Sequence, residues 1–346
     1  MRRLISFSIA VLLILISGYK VSAQQKVNPS VLLKGGHVID PANSINGKMD
    51  ILVKEGIIAR VAESIATSEA EKVVDVSKYY ITPGLIDLHT HVFPPKIGVI
   101  ARDHSFTSGV TTLVDAGSSG AYTFKEFKEV IDNTPARVLA FLNIVAQGMD
   151  NKYENDHTAF KVKAAVETAR KYPEIIVGFK TAHYRNTGFD DLHRPWTIAD
   201  SVLAAGNIAN LPIMYDLHPA SGSGRYSDRS FRDLVLKQLR PGDIYTHCFA
   251  YQFLIVLENG KVNPDAIEAH KRGVYFDVGH GSGAFTFRKA VPAIKQGFLP
   301  DAISTDLHQG SANGSALHMP NTMSKFLCMG VSLEDVVRLS TSAPAQ

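Results

Sequence analysis

From residue 83 onward the chain repeats one pattern: an apolar strand, a loop, then a helix-like segment. Apolar stretches at 84–89, 110–116, 137–144, 175–181, 212–217, 243–248, 273–279 and 302–306 have the length of buried strands. Strands buried on both faces read as near-continuous apolar runs rather than as an alternation. Helix-like segments separate them, among them Phe124–Ile131, Thr158–Tyr172, Ile198–Ala209, Phe231–Leu239, Pro264–Arg272, Phe287–Gln296 and Thr322–Met329, with one more at Leu333–Leu339. Eight strands alternating with helices predict an α/β protein built on a (β/α)8 barrel over residues 83–346. An open, doubly wound sheet is the competing fold. The strand count, and the polar residues at so many strand C-termini, favour the barrel. A length of 346 residues suits a barrel plus a small domain.

Residues 24–82 read differently. Val31-Leu32-Leu33, His37-Val38-Ile39, Asp50–Val53, Ile57–Val61 and Val73–Val76 are short strands, and Lys54-Glu55-Gly56 is a hairpin turn between two of them. They predict a small N-terminal β-sandwich domain with no candidate chemistry, set before the TIM-type barrel. Residues 1–23 have the layout of a signal peptide: Arg2 and Arg3, the apolar run Ile9–Ile16, then Val21-Ser22-Ala23 as a cleavage site. A membrane anchor is the competing reading. A spanning helix needs roughly 20 apolar residues, and Ser17, Gly18, Tyr19 and Lys20 cut the run short. The expectation is an exported protein, periplasmic or secreted, free of the membrane after cleavage. Removing Arg2, Arg3 and Lys20 leaves basic and acidic residues equal in number, so the mature surface makes no electrostatic case for nucleic acid. Cys248 and Cys328 each sit in an apolar stretch and read as two separate buried thiols rather than a bridge.

The chemistry-bearing residues gather at strand ends. Residues 84–91 read Gly-Leu-Ile-Asp-Leu-His-Thr-His, an apolar run closing on two histidines at i and i+2. Alternate side chains of a strand share a face, so His89 and His91 project together. Two neutral imidazoles held that way can bind one divalent metal. Later strands end in Val114-Asp115, Gly178-Phe179-Lys180, Tyr215-Asp216-Leu217-His218, Tyr245-Thr246-His247, Asp277-Val278-Gly279-His280 and Thr305-Asp306-Leu307-His308. Each has a bland reading: a lone histidine in a solvated loop, or an aspartate capping the next helix. Lys180 is the least bland, because burying an ammonium is costly unless it is paired or neutralised. The recurrence at one rim, where barrel active sites form, carries the functional reading. Gly279-His280-Gly281-Ser282-Gly283 lacks the Lys-Ser/Thr of a phosphate loop and reads as a turn.

With these motifs, residues 31–346 resemble the amidohydrolase superfamily of metal-dependent hydrolases. Residues 83–91 match its strand-1 motif. Residues 178–180, 240–247, 276–281 and 303–308 resemble its amidohydrolase/deacetylase branch, related to dihydroorotases and hydantoinases. The resemblance implies a centre of two divalent metal ions, Zn2+ by default because no thiolate is present. His89, His91 and Asp306 would hold the more buried ion. Lys180, carboxylated by carbon dioxide, would bridge both as a carbamate, and His247 would bind the second. Strand 5 departs from the family pattern. Pro212-Ile213-Met214-Tyr215 is followed by Asp216 where members often carry histidine, and His218 comes two residues later. Either could be the ligand, with the register favouring Asp216.

The reaction implied is hydrolysis of a carbon–nitrogen or related acyl bond of a small molecule. A hydroxide between the metals would attack, and Asp306 would carry the proton to the leaving nitrogen. Asp115, His183, His280 and His308 are candidates for substrate contact or for supporting roles. Arg185 and Arg225 fall in rim loops, where they could bind a carboxylate or simply be solvated. An exported amidohydrolase or deacetylase leads. A dihydroorotase- or hydantoinase-like cyclic amide hydrolase and a non-catalytic binding homologue are the alternatives. The family also places strands after the barrel that return to the small domain. Here the sequence runs to Ser342–Gln346, which predicts a domain lacking those strands, with edges that favour a homo-oligomer.

Overall fold

The computed structural model describes residues 29–150, 152–154, 156–181, 184–185, 198–218 and 235–346. Residues 1–23, expected to form a signal peptide, lie outside them. The first strands are β1 (Val31–Asp40), β2 (Ile45–Lys54), β3 (Ile57–Ala62), β4 (Lys72–Asp75) and β5 (Tyr80–Ile81). They form one five-stranded sheet in the order β3-β2-β1-β4, with β5 also paired to β1. Glu55 and Gly56 join β2 to β3, with φ of 52° and 80°. Two successive left-handed residues match the strand twist of a tight hairpin.

Residues 29–36 and 48–78 belong to one compact unit, and residues 37–47 and 79–346 to another. The first has its own core of Leu32, Leu52 and Ile65. The buried Asp50 carboxylate organises it, accepting hydrogen bonds from Lys34 Nζ at 2.6 Å, Gly35 N at 2.7 Å and Ile65 N at 2.8 Å.

The second unit follows the strand–helix alternation. Its strands are β6 (Leu85–Thr90), β7 (Val110–Gly120), β8 (Arg137–Asn143), β9 (Ile176–Lys180), β10 (Tyr184–Arg185), β11 (Ile213–Tyr215), β12 (Leu217–His218), β13 (Ile244–Tyr245) and β14 (Tyr275–Phe276). Seven of them form a parallel sheet in the order β14-β13-β11-β9-β8-β7-β6, and β10 pairs separately with β12. Residues 302–307, which take in the eighth strand expected at 302–306, link its two edges. Ala302 bridges to Asp277, and Leu307 bridges to Thr90. Asp306 N donates to the His89 carbonyl at 2.6 Å, and His91 N donates to the Leu307 carbonyl at 2.9 Å. The link is made of isolated bridges rather than a ladder, and Asp306 at φ 46° interrupts its extended backbone.

The helices are α1 (Ala101–Ser108), α2 (Phe124–Asp132), α3 (Val162–Lys171), α4 (Ile198–Ala209), α5 (Pro264–Lys271), α6 (Phe287–Lys295), α7 (Met319–Cys328) and α8 (Leu333–Arg338). The segment expected at Thr158–Tyr172 divides into a 3-10 turn at His157–Ala159 and then α3. The one expected at Phe231–Leu239 falls partly outside the described residues. Helix α1 was not anticipated, because its sequence ARDHSFTS has no apolar stripe. Its His104 is held instead by a buried polar bond, Nε2 to Asp87 Oδ2 at 2.8 Å. The same Asp87 accepts from Thr305 N and Thr305 Oγ1 at 2.9 and 2.6 Å, tying β6 to the closing segment. Both thiols are free, but only Cys248 is buried. Cys328 is exposed at the end of α7, correcting the expectation of two buried thiols. Among the described residues no helix is long and apolar enough to cross a membrane.

Candidate metal centre

The strand ends converge. His89 and Thr90 close β6, Lys180 closes β9, Asp216 follows β11, and His247 follows β13 by two residues. His89, His91, Lys180, Asp216, His247, Asp306 and His308 line a cavity of about 530 Å3, together with Lys96, Asp150 and Glu154. A larger cavity of about 680 Å3 opens near the strand starts among Ile86, Leu139 and Val177. No histidine lines it, so the chemistry belongs to the smaller one.

Each imidazole is anchored through one nitrogen. His89 Nδ1 lies 3.2 Å from Asp277 Oδ2 and 2.7 Å from Thr246 Oγ1. His91 Nδ1 is 2.9 Å from Ser118 Oγ, and His247 Nδ1 donates to the Gly279 carbonyl at 2.7 Å. The Nε2 atoms point at carboxylates: His91 to Asp306 Oδ1 at 3.1 Å, His89 to the same oxygen at 3.5 Å, and His247 to Asp216 Oδ2 at 3.3 Å. Lys180 Nζ donates to Asp216 Oδ2 at 3.2 Å and to the Thr181 carbonyl at 2.7 Å. One ligand atom each from His89, His247 and Asp306 lies within 4.8 Å of the others.

Backbone conformation makes room for this packing. A Cβ on Gly117, at φ 87°, would sit 2.8 Å from Lys180 Cγ. His247 and Asp306 are themselves left-handed, at φ 56° and 46°. Such residues cost on the order of 1–3 kcal/mol and cluster at functional sites.

The carboxylates set the charge state of the imidazoles around them. Burial pushes His89 down to about 4, against its bond to Asp277. Burial also opposes charge on His247, but the Asp216 carboxylate outweighs it and lifts the group to about 9. The Asp306 carboxyl would rise on burial. The hydrogen bond from His91 and the neighbouring His89 and His247 hold it well below the usual carboxylate range instead. Imidazoles fixed through Nδ1 with Nε2 aimed at carboxylates, and no thiolate among them, fit a divalent metal site.

The other candidates are placed as follows. Asp115 is fully buried, its oxygens accepting from Val92 N and Ser118 N at 2.8 Å each. It supports the loop after His91 and does not line the cavity. His280 is buried outside the cavity lining. His308 lines it, with its ring centroid 6.1 Å from that of His91. His183 and Arg225 lie outside the described residues. Of Arg185 and His218 only the backbone is described, and they are register partners between β10 and β12. Asp216 is the strand-5 residue whose carboxylate reaches the cluster. Sequence reasoning gave no role to Thr246, Asp277 or Ser304, which form one buried network. Thr246 Oγ1 donates to Asp277 Oδ2 at 2.7 Å, and Ser304 Oγ donates to Oδ1 at 2.6 Å. Their signal was available: all three are polar residues within apolar strand segments.

A protein named deacetylase from Brucella anthropi is 33% identical over 309 residues, covering 86% of this chain and 73% of that one. The chain belongs to the amidohydrolase superfamily. It is accordingly a metal-dependent hydrolase acting on carbon–nitrogen bonds. The crystal structure of a dihydroorotase superposes with a TM-score of 0.73 at 30% identity, covering 92% of this chain and 83% of that one. An adenine deaminase gives 0.76 at 26% identity, covering 91% and 83%. No family model matches the chain.

Proposed function

We propose that this amidohydrolase is an exported deacetylase, removing an acyl group from a small N-acyl or O-acyl substrate at a two-metal site. The observation that carries it is the convergence of His89, His91, Lys180, Asp216, His247 and Asp306 on one cavity. Likeness to a protein named deacetylase over most of this chain supports the choice within the superfamily. Export rests on the layout of residues 1–23.

His89, His91 and Asp306 would hold one ion; His247 and Asp216 would hold the other. Lys180 is fully buried on the same cavity, against Asp216. Carboxylated on its amine by carbon dioxide, Lys180 would supply a carboxylate-type ligand in place of an ammonium. Divalent metal, Zn2+ in this reading, lowers the pKa of water from 15.7 to about 7 and so supplies hydroxide at neutral pH. Asp306, kept ionised by its histidine neighbours, accepts the proton of the attacking water and returns it to the leaving atom.

Metal analysis of the purified chain tests this. Close to two equivalents of divalent ion are expected, lost in Lys180→Ala, followed by turnover within a panel of N-acyl amino acids, acetylated hydroxy acids and cyclic imides. A folded chain that binds no zinc would overturn the reading. Turnover of cyclic imides alone would favour a ring opener instead.

A further inference from the structure

Lys325 stands outside the metal-type cluster, on α7, yet its side chain reaches the loop after β14. Its Nζ lies 2.7 Å from His280 Nε2 and also bonds the Ser315 carbonyl. The other ring nitrogen of His280, Nδ1, is 2.9 Å from the Gly281 carbonyl oxygen. A carbonyl only accepts, so Nδ1 carries the proton. In the neutral ring Nε2 is then an acceptor, and Lys325 is its donor. Burial, reinforced by the Lys325 charge, pushes His280 down to about 4, so the ring is neutral across the working range. Phe285 stacks on it, with centroids 4.6 Å apart and planes 15° from parallel.

This loop runs beside the closing segment. His280 N donates to the Ser304 carbonyl at 3.2 Å, and Gly281 N to the Thr305 carbonyl at 2.8 Å. Gly281 is left-handed at φ 49°, and a Cβ built there would lie 2.3 Å from Asp306 Oδ2. Backbone without a side chain is therefore seated directly against the Asp306 carboxylate.

We propose that Lys325 and His280 form a latch that holds Gly281 against Asp306 and so fixes the direction in which that carboxylate points. Both are positioning residues and touch no substrate. Lys325 fixes the imidazole tautomer, the tautomer fixes the bond to the Gly281 carbonyl, and that bond fixes the backbone packed on Asp306. Without the lysine the ring is free to carry its proton on Nε2, and the Gly281 bond is lost. The inference rests on the role given to Asp306 under the proposed function.

The tautomer is read by nitrogen NMR of the full chain labelled at histidine, without metal, and so without activity. The His280 resonance is assigned as the one that disappears in His280→Gln. The expected result is a proton on Nδ1 in the wild type and a shifted tautomer balance in Lys325→Met. In the metal-loaded enzyme Lys325→Met should lower kcat by roughly tenfold to a hundredfold. KM should stay within about twofold, with metal content and thermal midpoint near wild type. Lys325→Arg, which keeps a charged donor, should recover most of kcat. Should Lys325→Met fold poorly, Lys325→Gln serves as the second variant, with the same expected loss. A wild-type His280 protonated on Nε2 overturns the latch, as does unchanged kcat in Lys325→Met. If no acyl substrate turns over, the tautomer still decides the latch, so its failure and that of the deacetylase reading are distinguishable.

Discussion

Asp277 shows how much of the site lies behind its ligands. Its carboxylate takes the Nδ1 side of His89 and is itself fixed by Thr246 and Ser304. Asp277→Asn puts an amide where three donors now converge. Outer partners of metal-bound histidines typically carry 10–100-fold in metal affinity or activity. A loss of about tenfold or more in zinc affinity is expected, read by competition with a chromogenic chelator. Asp306→Asn keeps the shape but removes the proposed proton carrier. A fall in kcat of about 10^2–10^4-fold is expected, measured at saturating zinc. The convergence was legible because histidine, lysine and aspartate recur at the C-terminal ends of the apolar strands, on one rim. The partners were not. Ser118 lies 2.9 Å from His91 Nδ1, and nothing in its sequence context separates it from any loop serine.

Elements were legible where a face is apolar and obscure where polar bonds replace it. Ile198–Ala209 was read to the residue, because its apolar positions recur at helical spacing. Helix α1 was missed because His104 and Asp87, not an apolar stripe, seat it. The two-residue strands β13 and β14 are shorter than the apolar runs that announced them. The backbone turns left-handed at His247 and Gly279, soon after each. Helix α5 supplies a pH-dependent prop. His270 Nε2 lies 3.0 Å from Asp301 Oδ1, and Asp301 Oδ2 accepts from Phe276 N at 2.8 Å. The bond to Asp301 raises His270 above its ordinary value. A raised histidine contributes stability that is full below its unfolded pKa of about 6.5 and is lost as pH climbs through the folded value. His270→Gln should therefore lower the thermal midpoint more at pH 6 than at pH 9. Equal shifts at both would show that the pair contributes nothing; it is partly exposed, so the effect is expected to be small.

At the scale of the whole molecule, the count of eight apolar runs announced the barrel, and the structure closes it through residues 302–307. The manner of closure was not legible, because isolated bridges and a ladder have the same apolar sequence. The small N-terminal unit makes a separate prediction. Its Asp50 works against burial, yet bonds from Lys34, Ile65 and Gly35 hold it below the usual carboxylate range. A lowered carboxyl stabilises above its unfolded pKa, about 3.9, and that contribution is lost as pH falls through the folded value. Asp50→Asn should remove this acid dependence and expose the segment 48–78 to protease at neutral pH, while metal content stays at the wild-type level.

The closing segment also dictates an order of assembly. Thr90 and Leu307 meet across a separation of 217 positions. Contacts so remote in sequence form late, since the loop between them must first be ordered. Until then the seven-stranded sheet presents two open parallel edges, the surface on which chains aggregate. Asp306 arrives on that same segment, so the full set of proposed ligands comes together only once the ring is shut. An ion that binds the closed ring and not the open one pulls the chain toward closure by mass action. Metal supply during synthesis would then govern how much protein escapes aggregation, before any substrate is met. Expression in zinc-depleted medium should shift the chain from the soluble to the pelleted fraction, and zinc added after synthesis should recover only part of it.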